Sequence, residues 1–244
     1  MEGHIVLGPK SGDCLPLIYA SDRPEYDFCM SNIDYLRTTA DQRRQIEQLD
    51  PTALGEYQLS HLNTLLAATL PQNEFYASKY SSLPISHQAS YRLESIEQLN
   101  SLPFTFKDEL MGNEGSHGFA ANLTQPVGEY SRLHRTSGTR GRPMIVLDTA
   151  NDWQWWMETW QYVLDSAELS PSDRVVMAFS FGPFIGFWSA FDAAVERGAM
   201  VAPTGAMTTI ARLELIRNIE ANVIFCTPSY ALHMAEIAQE NQID

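Results

Sequence analysis

The sequence predicts an α/β fold, in which a mostly helical front is followed by alternating helices and strands that form a parallel sheet. Three observations predict it. Short runs such as 174–179 and 223–226 are apolar at almost every position, as strands buried on both faces are. Stretches of helical periodicity separate those runs. The first half of the chain has helical faces and breakers instead.

Three zones follow. Residues 1–30 carry Gly3, Gly8, Pro9, Gly12, Pro16 and Pro24, which predicts an irregular lead-in. Residues 31–130 read as a mostly helical region. Ser31 and Asn32 are candidate caps for a helix running toward Leu49. Leu54, Tyr57, Leu62, Leu65 and Leu66 mark the apolar face of a second helix. Ile96, Leu99 and Leu102 mark a short third one, stopped by Pro103. Gly112, Gly115 and Gly118 predict a loop over 113–118.

The rhythm changes over 131–244. Residues 144–147 read as a strand. Thr149 has Asp152 three positions on, a variant capping box, ahead of a helical face holding Trp153, Trp156, Trp160, Val163 and Leu164. A buried strand is expected over 174–179, a helix over 184–197 stopped by Gly198, and a strand over 199–202. Residues 208–220 predict a helix with Ile210, Leu213, Ile216 and Ile219 on one side. A strand over 223–226 and a helix from Pro228 complete the pattern. Ligands of such sheets sit at the carboxyl ends of the strands.

Composition narrows the function. The 244 residues include 16 basic and 30 acidic ones, a net charge of −14. That balance disfavours nucleic acid and anionic membranes as partners, but a local phosphate site is compatible with it. Cys14, Cys29 and Cys226 are too few and too far apart for a disulfide framework or a zinc cluster. The histidines at 4, 61, 87, 117, 134 and 233 show no metal-ligand spacing, so no metal site is expected. Residues 1–10 lack the features of a secretory leader, and no apolar run approaches the roughly 20 residues of a membrane helix. A cytoplasmic protein is expected.

The segment that carries chemistry is Thr136-Ser137-Gly138-Thr139-Arg140-Gly141-Arg142-Pro143. It lies between two short apolar segments and is expected to be a loop on the sheet. Its glycines let the backbone approach a ligand. Its hydroxyls and main-chain N–H groups suit phosphate oxygens, and Arg140 and Arg142 add positive charge. An ordinary glycine-rich turn with solvated arginines has the same composition.

Other features take plainer readings. Residues 3–11 approach a Walker A loop, but Pro9 separates the second glycine from Lys10 and no strand precedes them. Gly182 and Gly186 have small-residue spacing without a membrane helix around them. Trp153, Trp156 and Trp160 fit a buried helix face, with Trp155 pointing elsewhere. His134 is expected to be structural, Cys226 an inert buried thiol, and 41–47 a mixed-charge helix surface. Asn122-Leu123-Thr124 is a glycosylation sequon by letters only.

The loop closely resembles the phosphate-binding signature of adenylate-forming enzymes, Ser/Thr-Ser-Gly-Thr-Thr-Gly-x-Pro, with Arg140 at the second Thr and Arg142 at the usual Lys. Four further segments resemble phenylacetate–CoA ligases in order and spacing. Residues 102–110, LPFTFKDEL, resemble "LPFTTKxDL", and Arg132-Leu133-His134 resembles "RIH". Residues 178–186 resemble "AYGYGLFTG", and Thr227-Pro228-Ser229-Tyr230 is "TPSY". The resemblance spans roughly residues 31–240.

The resemblance implies the front part of an adenylate-forming domain, with 131–244 as its truncated AMP-binding subdomain. It implies ATP, Mg2+ and coenzyme A, and a carboxylic acid, an aryl acid of the phenylacetate kind, as substrate. It places the ATP phosphates on 136–143 and the acyl or aryl pocket at Phe179, Phe181, Phe184 and Gly186. The family's adenine and ribose contacts, its "YGxTE" segment and its adenylation Lys are expected beyond Asp244, so catalytic residues are not assigned. The chain is then expected to be a fragment, or half of a split enzyme completed by a second chain, or a non-catalytic nucleotide-binding module. A homodimer or a complementing chain is the protein partner considered. A sibling group that adenylylates a deazaflavin cofactor shares these motifs.

Overall fold

The computed structural model describes residues 37–83, 92–111, 118–138 and 141–243. The lead-in, the caps at Ser31 and Asn32, the Walker-like stretch, most of the 113–118 loop, Thr139 and Arg140 lie outside the described residues.

The front region is helical. Helix α1 (Ala40–Glu47) is capped by Thr39, whose hydroxyl accepts from Gln42 N–H. Asp50 caps α2 (Pro51–Thr69), which has proline in its first turn, and Asn73 caps α3 (Glu74–Lys79). The expected third helix is a 3-10 helix over Ile96–Ser101. A short α4 (Lys107–Leu110) follows. The apolar face of α2 is displaced from the expected one: Leu59, Leu62, Leu66 and Leu70 pack with Leu93 and Tyr76, whereas Leu65 is exposed. Asn73 is buried and spans two regions, donating to the Asn122 carbonyl and the Thr124 hydroxyl.

One expectation about α1 is corrected. Residues 41–47 are not merely a solvated surface, because Arg43 is buried. Its guanidinium grips both oxygens of Asp165, at 2.6 and 3.0 Å, and Arg197 donates to the same carboxylate at 2.7 Å. Hydrogen bonds from the Arg43 guanidinium first, then from Arg197, hold the Asp165 carboxyl below its ordinary range.

Strands β1 (Arg132–Arg135) and β2 (Ile145–Asp148) form an antiparallel pair, with His134 opposite Val146. Helix α5 (Ala150–Ser166) starts at the predicted Thr149–Asp152 capping box. The parallel sheet contains β3 (Arg174–Met177), β4 (Met200–Pro203) and β5 (Val223–Phe225), in the order β4-β3-β5. Helices α6 (Ile185–Glu196), α7 (Thr209–Asn218) and α8 (Pro228–Glu240) alternate with them. The loop at 136–143 therefore joins the separate hairpin, not two strands of the parallel sheet.

Central β3 is buried on both faces, as its uninterrupted apolar run requires. Val175 and Met177 pack with Trp153, Met157 and Leu164 of α5 and the alanines of α6. Val176 and Ala178 face Leu213 and Ile216 of α7 and Met234 of α8. Two predicted face residues lie outside these clusters: Val163 and Ile210 are exposed. Gly198 stops α6 with φ of +91°.

Candidate functional site

Strand β3 leads through α6 to β4 on one side, and β4 leads through α7 to β5 on the other. The strand order therefore reverses between β3 and β5. In doubly wound sheets the crevice outside the carboxyl ends at such a reversal is where ligands sit. Segments 179–186 and 227–230 flank it.

The 136–143 loop hangs from the hairpin by its main chain. Thr136 N–H donates to the Met144 carbonyl, and Met144 N–H donates to the Thr136 hydroxyl at 2.9 Å. Gly141 N–H closes a turn onto the Gly138 carbonyl at 3.1 Å. Gly138 has φ of +70°, and a Cβ there would lie 2.9 Å from Pro143 Cγ and 3.0 Å from the Gly141 carbonyl. Only glycine meets both conditions. Ser137, Gly141 and Arg142 are exposed. Lys107 of α4 braces the loop by donating to the Arg142 carbonyl at 2.8 Å.

Below the loop, β1 turns polar side chains inward. His134 is buried, shares a hydrogen bond of 2.8 Å with Asp148, and stacks on Trp153. Arg132 lies over Trp153, 4.2 Å from the ring centroid. Arg132 and Trp153 Nε1 both donate to Asp192. These contacts seat the hairpin on α5 and α6 and give His134 a structural setting.

Segment 179–186 is held by aromatic packing. Phe179 stacks on Phe187 at 4.7 Å, and Phe181 meets Trp188 edge-on at 5.0 Å. Trp188 Nε1 donates to the Gly182 carbonyl at 3.0 Å. Phe184 is exposed at the start of α6, and a side chain added at Gly186 would meet nothing.

The two segments meet directly: Arg135 N–H, at the foot of the phosphate-type loop, donates to the Pro183 carbonyl at 2.7 Å. On the other side of the crevice Thr227 caps α8, and the Tyr230 hydroxyl bonds Thr209. Sequence reasoning singled out all three segments. It missed the Arg135–Pro183 link, the Lys107 brace and the buried Arg212 beneath Phe179, because each depends on tertiary placement. The packing of Ile216 and Leu213 marked the α7 face, but no periodicity marks Arg212. Among the described residues no group of three or more His, Cys, Asp or Glu stands ready for a metal ion. No described helix is long and apolar enough to cross a membrane.

No family model matches the chain. It is similar to phenylacetate–coenzyme A ligase of Pseudomonas putida, 30% identical over 82% of this chain and 44% of that protein. The ligase of the same name from Escherichia coli (strain K12) is 30% identical over 78% of this chain and 42% of its own length. Among solved structures, 2-hydroxyisobutyryl-CoA ligase in complex with 2-HIB-AMP and CoA matches with a TM-score of 0.73 and 25% identity, covering 86% of this chain and 45% of that one. The open conformation of that ligase matches with a TM-score of 0.72 at 23% identity, a likeness of fold. The chain thus spans less than half the length of the relatives it matches. Over most of its length this chain is homologous to phenylacetate–coenzyme A ligases.

Proposed function

We propose that the chain supplies the phosphate grip and the acid pocket of an ATP-dependent acid–CoA ligase, with an aryl carboxylate as the acid. The supporting observation is the 2.7 Å hydrogen bond from Arg135 N–H to the Pro183 carbonyl, because it joins the phosphate-type loop to the aromatic segment. A triphosphate held at one and a carboxylate held at the other would be neighbours. Proximity of that kind is a large part of catalysis by positioning.

The roles follow from side-chain chemistry. Thr136, Ser137 and Gly138, with Thr139, Arg140, Gly141, Arg142 and Pro143, form the phosphate cradle. Exposed Ser137 and Arg142 offer a hydroxyl and a cation to phosphate oxygens. Phe179, Phe181, Phe184 and Gly186 line the pocket, where exposed Phe184 and the open space at Gly186 leave room for a flat apolar acid. A carboxylate oxygen attacks the α-phosphorus of ATP, and the bond to pyrophosphate breaks. The thiol of coenzyme A then attacks the acyl carbon and AMP leaves. Mg2+ would enter with the triphosphate whose charge it neutralises, and no step is assigned to it. No residue is assigned here to the adenine, the ribose or the adenylation Lys.

Calorimetric titration with ATP and Mg2+ tests this reading. Wild-type chain should bind, and Ser137→Ala/Arg142→Ala should weaken binding at least about tenfold, the loss expected for about 1.4 kcal/mol of charge-assisted contact. Folded wild-type chain that takes up no nucleotide would sink the phosphate-site assignment.

A further inference from the structure

Arg212 occupies a position that ordinary stability arguments disfavour. It is buried, at 6% exposure. It lies in the first turn of α7, the positive end of the helix, where a cation is opposed by the macrodipole. A buried guanidinium usually has a carboxylate beside it. Among the described residues no carboxylate pairs with Arg212. Its bonds go to neutral acceptors.

Those acceptors sit at the carboxyl ends of the three parallel strands. Nε and Nη2 donate to the Thr204 carbonyl just after β4, at 3.1 and 2.9 Å. Nη2 also donates to the Phe179 carbonyl, two residues beyond β3, at 3.3 Å. Nη1 donates to the Tyr230 hydroxyl in the first turn of α8, which follows β5. The guanidinium lies over the Tyr230 ring, 5.1 Å from its centroid. One side chain therefore bridges the crevice between β3 and β5. Gly205, next to Thr204, is pressed against Phe181: a Cβ there would lie 3.1 Å from Phe181 N and Cδ2. The aromatic segment is thus fixed by Arg212 at Phe179 and by its α7-side neighbours at Phe181.

We propose that Arg212 is a positioning and specificity-determining residue of the acid site. Its planar fork holds segment 179–186 against Tyr230, and its unpaired charge makes the carboxyl end of the sheet select an anionic ligand over a neutral one of the same shape. This inference rests on the reading of 179–186 as the acid pocket. It requires no contact between Arg212 and the acid, because a charge in a poorly screened interior acts through space. At an effective dielectric near 20 and about 10 Å, that action is worth about tenfold in binding.

The test is calorimetric binding of phenylacetate and of phenylacetamide, its uncharged isostere, to the full chain. Wild type should prefer phenylacetate by about tenfold. Arg212→Lys should weaken both probes, because the fork is lost, but should keep the preference, because the charge remains. Arg212→Gln should abolish the preference. Tyr230→Phe should leave it intact. If Arg212→Lys and Arg212→Gln weaken both probes in equal proportion, Arg212 is only a structural brace and the selection claim falls. If Arg212→Gln does not fold, the wild-type preference in rising salt decides. A preference set by a buried charge persists, whereas one set by surface cations fades and overturns the proposal. Wild type that binds neither probe, or both alike, also overturns it. Titration with ATP and Mg2+ reads the 136–143 loop alone, so failure at Arg212 and failure of the nucleotide site are told apart.

Discussion

The two halves of the candidate site are held in opposite ways. The 136–143 loop is fixed by main chain: hairpin hydrogen bonds, a turn through Gly138, and a lysine on a carbonyl. The 179–186 segment is fixed by side chains that are part of the domain core, Phe181 and Trp188 among them. The difference separates binding from stability. Ser137 and Arg142 of the loop are exposed, so altering them should change binding and leave the fold alone. Altering what holds the aromatic segment should change both.

The largest expected effect lies on the core side. Met177 is completely buried in β3, under α5 and α6. Met177→Ala should cost about 3 kcal/mol, the usual loss for a large core side chain cut to Ala. Urea unfolding measures it, and a loss below about 1 kcal/mol would mean that the sheet does not control the stability of the aromatic side. Next comes Asp165, which holds α1 to the rest through Arg43 and Arg197. Asp165→Ala strands two arginines and should cost about 2 kcal/mol. The same group predicts a pH dependence. Its carboxyl titrates lower in the folded chain than in the unfolded one. Its contribution is therefore complete above the ordinary Asp value of about 4 and is lost as the pH falls through the lower, folded value. Acid unfolding of Asp165→Asn should lack that component, and identical acid midpoints for variant and wild type would remove Asp165 from the account.

A smaller effect is expected at the loop's one conformationally constrained position. Gly138→Ala places a Cβ at positive φ and against Pro143. A loop that shifts to relieve this strain, about 1–2 kcal/mol, leaves the unfolding midpoint almost unmoved but loses the ligand-binding shape, so ATP binding should weaken about tenfold. An equal fall in midpoint and affinity would show that loop and core are one cooperative unit.

Much of this architecture was legible because local and tertiary demands agree. Thr149 and Asp152 announce α5, and the run at Val175, Val176 and Met177 announces a strand covered on both faces. The family-like loop was legible because its glycines, hydroxyls and arginines stand out between two apolar segments. Strand β1 was harder to read: Leu133 points out while Arg132 and His134 turn in against Trp153, which inverts the pattern that marks a strand. Val163 and Ile210 were placed on buried faces by spacing, but among the described residues both are left exposed. Arg43 reads as part of the charged surface of 41–47 and Arg212 carries no sequence signal, because burial of a charge depends on partners far away in sequence.

The smallest stability effect is the one that sharpens the comparison most. Ser137 is exposed on the loop, so its hydroxyl contributes nothing to core packing. Ser137→Ala should therefore shift unfolding by less than about 0.5 kcal/mol. If its hydroxyl serves a phosphate oxygen, the same change should still weaken ATP binding about tenfold, by the roughly 1.5 kcal/mol that a hydrogen bond to a charged group contributes. Unfolding and titration on one variant then separate the two kinds of anchoring. Unchanged affinity would remove Ser137 from the cradle and leave Arg142 and the main-chain donors to carry it. A large stability loss would mean that the loop is bound into the core after all, and that its glycine-rich sequence serves folding as much as a ligand.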